Sequence, residues 1–333
     1  MNPRHRRLLI PGLLIALLVV VVVATLTGRA DAATSSAPTD ATAACTLTDD
    51  RIDEQSGLAV SAAHPDTAYV VNDSGSDPEV YAVDLTSCEV VGVTELEDVP
   101  WRDPEAMALD GSGTLWIADT GDNNGVRDDA RLYSLPEPGR EDGSVRPEVH
   151  PLTFETGRED VEALLVDPTS DAKWVVTKGW TGGELLALPD TLPSDAVSTA
   201  TSTGVSMPIL VTDASITPDG HYAVVRTYLG ATLYDVRDDF AQVASIELPQ
   251  QPQGETLAVE PSGTTFLAGS EGVGQPLYRL ALQTPEPVEA PATTPAAAET
   301  ESTWTPSTLV WVAGATIVGL FAGALLLRRR RRT

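Results

Sequence analysis

The sequence has few of the residues from which nucleophilic and zinc-dependent catalytic sites are built. Its 333 residues include two cysteines, four histidines and 5% aromatic residues. It contains no GxSxG nucleophile motif and no glycine-rich phosphate loop. His5 lies near the N-terminus, His64 and His221 lie in predicted turns, and His150 lies in an outer strand or a connection. These features argue against Ser–His catalysis and against zinc held by His or Cys.

Basic residues are also scarce away from the two ends of the chain. Nine of the 21 Lys and Arg lie within residues 1–29 or 328–332, whereas 47 of the 48 acidic residues lie between residues 33 and 307. So acidic a surface disfavours nucleic acid, whose phosphates need Lys and Arg, and it disfavours adsorption to anionic lipid. It attracts cations and cationic partners.

The N-terminal 32 residues have the pattern of a secretory signal peptide. Three arginines precede the apolar stretch Leu8–Leu26, and an Ala30-Asp31-Ala32 motif follows it. This order predicts export and cleavage after Ala32. The alternative is an uncleaved anchor, because the apolar stretch is long enough to span a bilayer. Residues 33–44 are predicted to be a short linker.

The C-terminal region predicts a membrane anchor. The uncharged run Leu309–Leu327 leads directly into five arginines. We expect a transmembrane helix over residues 308–328 and a cytoplasmic tail over 329–333, with everything before them outside the cell. Residues 283–307 are rich in Pro, Ala, Thr and Glu, so they are predicted to form an extended stalk. The predicted location is the cell membrane, with a single pass through the bilayer.

The two cysteines, Cys45 and Cys88, are predicted to form a disulfide. Their even number in an exported chain favours pairing, because the compartment outside the cell is oxidising. The alternative is two isolated thiols.

A repeated phrase predicts the fold. Each copy is a small-residue-rich apolar run, a turn and a second apolar run rich in β-branched and aromatic residues, which is typical of a β-hairpin. The copies begin at positions separated by 49, 57, 51 and 42 residues, namely Ser56, Glu105, Glu162, Asp213 and Glu255. A third short strand follows each hairpin, and a fourth follows in four of the five copies.

Four-strand units with this period indicate an all-β fold, a β-propeller over residues 45–282. Five four-stranded blades are predicted. The fifth unit lacks its last strand, and "ACTLTDDRID" before the first unit is the expected donor. Six blades are the alternative if residues 139–160 or 189–211 contain a degenerate unit.

Several phrases carry a resemblance, among them "SGLAVS", "IADTGDNNGVRDDARLYSLPEP", "EALLVDP" and "QGETLAV". Over roughly residues 45–282 the chain resembles a group of exported actinobacterial β-propeller proteins of the WD40/YVTN type. That resemblance implies fold and export, and it implies no particular activity. More distantly, the pattern is similar to SMP-30/gluconolactonase and paraoxonase-type propellers. That likeness implies acidic and amide side chains around the axis that hold Ca²⁺.

The first strand of each propeller blade lines the central channel, so the first residues of the five repeats are expected to converge. Four of them are carboxylates, Glu105, Glu162, Asp213 and Glu255. Such a group must hold a cation, share protons at raised pKa or be neutralised by basic side chains. Lys178 and Arg226, near the ends of second strands, are the candidates for neutralisation. The alternative is a solvated set of acids that reflects composition alone.

Polar residues at the ends of the second strands are expected at the same face. The candidate metal ligands are Glu105, Glu162, Asp119, Asp122, Asn72 and Asp73, and Glu271 joins the axial ligand-binding set. Oxygen ligands without His or Cys favour Ca²⁺. The segment from Asp119 lacks EF-hand spacing, since Gly121 occupies the third position, so it is not predicted to bind calcium alone.

Three functions are compatible with this pattern. The leading hypothesis is a membrane-anchored extracellular module that binds a ligand or a protein, with an axial Ca²⁺. The alternatives are a Ca²⁺-dependent hydrolase of the lactonase or phosphoesterase type, and a non-catalytic scaffold. No catalytic residue is assigned, since propeller folds host all three functions.

Overall fold

The computed structural model describes residues 41–285 of the chain. Within this range the regular structure is β apart from one 3-10 turn at Val236–Asp238. The strands are β1 (Thr42–Thr46), β2 (Gln55–Val60), β3 (Thr67–Asn72), β4 (Glu79–Asp84), β5 (Val90–Leu96), β6 (Pro104–Leu109), β7 (Thr114–Asp119), β8 (Arg131–Pro136), β9 (Gly143–Val145), β10 (Glu148–Phe154), β11 (Val161–Val166), β12 (Lys173–Thr177), β13 (Gly183–Ala187), β14 (Ser198–Met207), β15 (Val211–Ile216), β16 (Tyr222–Thr227), β17 (Gly230–Asp235), β18 (Ala241–Ile246), β19 (Leu257–Val259), β20 (Thr265–Ala268) and β21 (Pro276–Ala281). The predicted all-β class is confirmed.

These strands form four sheets, three of which are single units. Their strand orders are β2-β3-β4-β5-β9, β15-β16-β17-β18 and β19-β20-β21-β1. The fourth sheet has eight strands in the order β6-β7-β8-β10-β14-β13-β12-β11. Its two halves meet where the outer strands β10 and β14 run parallel, with Leu152–Phe154 beside Ser198–Ala200. Each half therefore repeats the antiparallel four-strand arrangement of β15–β18, of β19-β20-β21-β1 and of β2–β5, to which β9 adds a parallel edge strand.

Local sequence accounts for the hairpins within each unit. Between β6 and β7, Asp110 Oδ1 accepts hydrogen bonds from the backbone N–H groups of Ser112 and Thr114, at 2.8 and 2.9 Å. Gly113 in the same turn has a φ of +81°, which suits glycine because it lacks a Cβ. The apolar runs on both sides then pair as strands.

The first strands of the units form a closed circuit. Strand β2 contacts β6, β6 contacts β11, β11 contacts β15, β15 contacts β19, and β19 contacts β2. Apolar side chains fill the spaces between successive units, and Tyr69, Tyr133 and Phe266 are completely buried there. This architecture is consistent with the predicted β-propeller.

The two ends of the domain meet in one sheet, as the sequence predicts. Strand β1 pairs antiparallel with β21 and supplies the strand that the last repeat lacks. Cys45 in β1 forms a disulfide with Cys88, with a Cα–Cα distance of 5.5 Å, so the predicted pairing is confirmed. Strand β1 begins at Thr42, inside the segment predicted as linker, and the compact unit ends at Thr284.

Other predictions fall outside the described residues. These are the signal peptide, most of the stalk, the transmembrane helix and the arginine tail. Between residues 41 and 285 there is no helix with the length and apolar character needed to cross a bilayer.

Candidate functional site

A β-bulge near the start of the inner strands determines where the predicted acidic column points. In β2, β6 and β11 the register shifts by one residue at Ser56, Glu105 and Glu162, so none of these residues has a partner across the ladder. A bulge re-aims the side chain of its extra residue. All three residues are buried.

Glu105 is the centre of the site. Ser56 Oγ donates a hydrogen bond to Glu105 Oε2 at 2.9 Å. Carboxylate oxygens of Asp73, Asp103 and Glu105 lie within 4.8 Å of one another, and the same holds for Glu105, Asp160 and Glu162. Glu105 therefore belongs to two overlapping carboxylate groups, which we call the first and the second acid group.

Gly121 leaves the space that the carboxylates of Glu105 and Asp103 occupy. A Cβ at this position would overlap Glu105 Oε1 and would lie 2.6 Å from Asp103 Oδ2. The backbone N–H groups of Thr120 and Gly121 donate to the main-chain oxygen of Asp103, each at 3.1 Å. The loop after β7 therefore packs its backbone directly against the two carboxylates.

The electrostatics of the first acid group are unfavourable for a set of anions. Burial raises the pKa of Glu105 well above its usual range, and the neighbouring Glu162, Asp73 and Asp103 raise it further. Burial and the adjacent Asp73 raise the pKa of Asp103 to about 7. These acids must bind protons or a cation near neutral pH.

The second acid group contains its own counter-charge. Lys178 Nζ donates a hydrogen bond to Glu162 Oε1 at 2.9 Å and lies 5.5 Å from the centre of the Tyr228 ring. Burial favours the neutral amine, yet the attraction of Glu162 raises the pKa of Lys178 overall. Tyr228 Oη in turn donates to Glu255 Oε1 at 2.8 Å, and Gln253 Nε2 donates to the same oxygen at 3.2 Å.

Glu271 links the last unit to the first. Burial raises its pKa to about 7, and the charges of Glu255 and Asp73 act in the same direction. We call the whole set the acidic cluster, namely Asp73, Asp103, Glu105, Asp160, Glu162, Glu255 and Glu271. Among the described basic residues, only Lys178 makes a hydrogen bond or ion pair with a member of it.

Asp213 and Arg226 border the acidic cluster without bonding to it, so their predicted placement in the axial set is corrected. Burial raises the pKa of Glu255 and the charge of Arg226 opposes this rise, but neither Asp213 nor Arg226 makes a hydrogen bond or ion pair with a member of the cluster. In β15 the register shift falls at Thr212, and Asp213 pairs across the ladder with Arg226. The carboxylate of Asp213 is completely buried and accepts hydrogen bonds from the backbone N–H groups of Ala214 and Leu257, at 2.8 and 2.6 Å. The guanidinium of Arg226 is also buried and donates to the main-chain oxygen of Thr256 at 2.7 Å.

Three predicted metal ligands have other partners. The carboxylate of Asp119 forms ion pairs with Arg127 and Arg131 and accepts a hydrogen bond from Tyr133 Oη at 3.0 Å. Asp122 accepts hydrogen bonds from the backbone N–H groups of Val126 and Arg127 and so closes a turn. Asn72 Nδ2 donates to the main-chain oxygen of Arg51 at 2.6 Å, while its Oδ1 is buried without a hydrogen-bond partner and is outside both acid groups. The predicted ligands that do meet are Asp73, Glu105 and Glu162.

Sequence reasoning missed Asp103 and Asp160. Each lies two residues before a member of the predicted column, in Asp103-Pro104-Glu105 and Asp160-Val161-Glu162. This recurrent spacing could have identified both residues, because equivalent positions of successive repeats are expected to lie close together around the ring. Gln253, two residues before Glu255, was missed although it has the same spacing, and Tyr228 was missed without any such signal.

The opposite ends of the inner strands have a different character. They surround a cavity of about 560 Å³ whose apolar lining includes Leu58, Met107, Leu164, Ile216 and Val259 and whose polar lining includes Asp110 and Glu137. Single buried acids, Asp167 and Glu260, lie near this end, but the carboxylates close enough to share a cation are at the other end of the described domain.

Comparison with known proteins adds a likeness of fold. No protein-family model matches the chain, and no curated protein matches it. Three similar solved structures are a gluconolactonase from Xanthomonas campestris, a luciferin-regenerating enzyme and the calcium-binding protein regucalcin from Agrobacterium tumefaciens.

The likeness to each of them is low. The gluconolactonase has a TM-score of 0.45 and 13% identity, over 75% of this chain and 97% of its own. The luciferin-regenerating enzyme has a TM-score of 0.43 and 11% identity, over 71% and 94%. Regucalcin has a TM-score of 0.39 and 16% identity, over 68% and 75%. At these TM-scores and identities the likenesses carry no argument about this chain.

Proposed function

We propose that this chain is an extracellular β-propeller that acts as a binding module through its acidic cluster, with a divalent cation, Ca²⁺, held in the first acid group. The observation that carries the proposal is that carboxylate oxygens of Asp73, Asp103 and Glu105 lie within 4.8 Å of one another, with Asp103 and Glu105 packed against Gly121 and no basic side chain bonded to the three among the described residues.

We further propose five blades. Four-strand units beginning with β2, β6, β11, β15 and β19 supply them, and the circuit of contacts among these strands supports closure of the ring. Closure places the starts of all five inner strands at one end, where the acids lie.

A bound cation is the favoured way to stabilise the first acid group. Burial of several carboxylates without a counter-charge is costly unless they bind protons or a cation. The second acid group already has Lys178 on Glu162, so a metal ion there would compete with a tethered ammonium group. The first acid group has no such competitor and is the better metal site.

The donor atoms favour calcium over transition metals. All of them are carboxylate oxygens, and hard oxygen ligands suit Ca²⁺ or Mg²⁺ rather than zinc. The half-buried position of Asp73 and Asp103 leaves room for water to complete the larger shell of Ca²⁺. When bound, the ion would supply positive charge for a polar group of a ligand.

A Ca²⁺-dependent hydrolase is the second candidate function. The observation in its favour is the second acid group, because Asp160 and Glu162 adjoin the first acid group through Glu105 and a carboxylate outside the cation's ligands can accept a proton from bound water. Hydrolysis of simple lactones or phosphoesters that depends on Ca²⁺ and is lost in Asp160→Asn, while Ca²⁺ binding is kept, would favour this candidate. Absence of such hydrolysis would favour the binding module or a scaffold.

We propose that the propeller lies outside the cell on a membrane anchor. The support is the sequence pattern at both ends together with the Cys45–Cys88 disulfide, because disulfides persist in oxidising compartments. Cleavage of the domain by protease added to intact cells would test this location.

Thermal unfolding of the full chain with Ca²⁺, Mg²⁺ or EDTA tests the metal proposal. At a Ca²⁺ concentration 100 times the dissociation constant, we expect stabilisation of about 2.7 kcal/mol. Asp103→Asn should abolish it, whereas Lys178→Gln should preserve it. Asp129→Asn is the matched control, because that carboxylate is half-exposed and lies outside the acidic cluster. No shift with any divalent ion would refute the proposal.

A further inference from the structure

The exposed apolar side chains of the described chain concentrate at the acidic end of the domain. Six of the seven large ones lie in loops that lead away from a second strand or into a first strand, which places them at the end where the inner strands begin. They are Val126, Trp180, Ile209, Tyr228, Leu229 and Val273. The seventh, Val197, precedes the outer strand β14.

Four of these residues lie beside the acidic cluster on neighbouring loops. Trp180 follows Lys178 by two residues, and the main-chain oxygen of Gly179 accepts a hydrogen bond from Leu210 N–H at 3.1 Å, next to Ile209. Tyr228 contacts both Lys178 and Glu255, and Leu229 follows it. An apolar arc over the third and fourth units therefore borders the buried acids.

The arc projects from the domain. Trp180 is 85% exposed and Leu229 is 82% exposed, so these side chains do not form the walls of an enclosed cavity. Highly exposed Trp and Leu side chains on neighbouring loops are unusual on a soluble surface and are typical of sites that another macromolecule covers. A small molecule bound at the acids would leave most of both side chains in water.

Charge restricts which macromolecule fits. The acidic cluster has seven carboxylates, and Lys178 is the one basic side chain bonded to them in the described chain. The acidic cluster repels anionic lipid and other acidic surfaces. A second copy of this chain is disfavoured for the same reason, given a net charge of −27. A basic partner is favoured.

We propose that the acidic end docks a protein partner that presents a lysine or arginine to the acidic cluster, with apolar side chains next to it that cover Trp180 and Leu229. This inference rests on the proposed binding role of the acidic cluster and names the partner class. One bound divalent ion would leave most of the carboxylates uncompensated, so the preference for a basic partner persists with the ion present.

Selection from a random 12-residue phage-displayed peptide library on the immobilised full chain tests this proposal. We expect the enriched peptides to share a Lys or Arg flanked by apolar residues. A synthetic peptide of that sequence should bind a Trp180→Ser/Leu229→Ser variant roughly 30-fold more weakly, because truncation of exposed interface anchors has effects of this size. Added salt should also weaken binding. Val197→Ser, which changes an exposed apolar residue away from this end, is the matched control.

Several outcomes would overturn the proposal. They are the absence of enriched peptides, enriched peptides that bind the double variant as tightly as the native chain, and docking of the same loops to phosphatidylcholine vesicles. The Ca²⁺-dependent shift in melting temperature separates the two proposals. A double variant that keeps this shift but no longer binds the peptide supports the proposed partner site. A chain without the shift that still selects basic, apolar peptides refutes the cation proposal alone.

Discussion

Removal of the Asp119 carboxylate should destabilise the domain strongly. Asp119 is fully buried, and its two oxygens meet the guanidinium groups of Arg127 and Arg131, Tyr133 Oη and the backbone N–H of Asp103. The Arg127 side chain is only 2% exposed, so in Asp119→Ala it becomes a buried charge without its main partner. Loss of one member of a buried ion pair costs about 3–5 kcal/mol.

Thermal unfolding followed by circular dichroism measures this cost. For a domain of this size 1 kcal/mol corresponds to about 2–4 °C, so the melting temperature should fall by about 6–20 °C. Asp129→Ala is the control, because its 44%-exposed carboxylate reaches the same two arginines from the solvent side and should contribute less than about 1 kcal/mol. A loss below about 1 kcal/mol for Asp119→Ala would refute the argument that the loop is fixed by this ion pair.

The remaining predictions concern protons, the disulfide and the glycine cradle. Raised pKa values of about 7 for Asp103 and Glu271 mean that the folded state binds more protons than the unfolded state between about pH 4 and 7, so in EDTA the chain should be more stable at pH 5.5 than at pH 8. The stabilisation by Ca²⁺ should be larger at pH 8 than at pH 5.5. Equal melting temperatures in EDTA at both pH values would contradict the burial of these acids. Cys45→Ser/Cys88→Ser should lower the free energy of unfolding by about 2–4 kcal/mol in urea titrations, and no change would mean that β1 holds its place without the bridge. Gly121→Ala should weaken Ca²⁺ binding at least about tenfold in titration calorimetry, because the added Cβ displaces Glu105 and Asp103. The Gly143→Ala variant should bind Ca²⁺ normally, because a Cβ at Gly143 meets open space.

Much of the fold could be predicted because the repeats carry their own pattern of apolar runs and turns. The pairing of β1 with β21 followed from a missing strand and an unused segment, and the disulfide followed from two cysteines in a chain predicted to be exported. Such features depend on the local pattern of apolar and turn residues and on closure of the chain, and the sequence alone predicts both.

The site was predicted less well because register decides which side chains meet. Alignment of the repeats by residue type put Asp213 in the acidic column. The bulge of β15 falls one residue earlier, at Thr212, so Asp213 instead pairs with a residue of the neighbouring strand. The interpretation of Asp119 failed for another reason. The loop after β7 folds Arg127 back onto it, and loop conformation is not encoded in a repeat pattern.

Titration calorimetry of the metal-free full chain with Ca²⁺, for the native chain and Glu105→Gln, tests the central claim most directly. Glu105 belongs to both acid groups, so its neutral isostere should remove the site while preserving shape. We predict one Ca²⁺ per native chain and no measurable binding to the variant. Absence of binding to the native chain, or equal affinity in the variant, would contradict the assignment of the cation site to Asp73, Asp103 and Glu105.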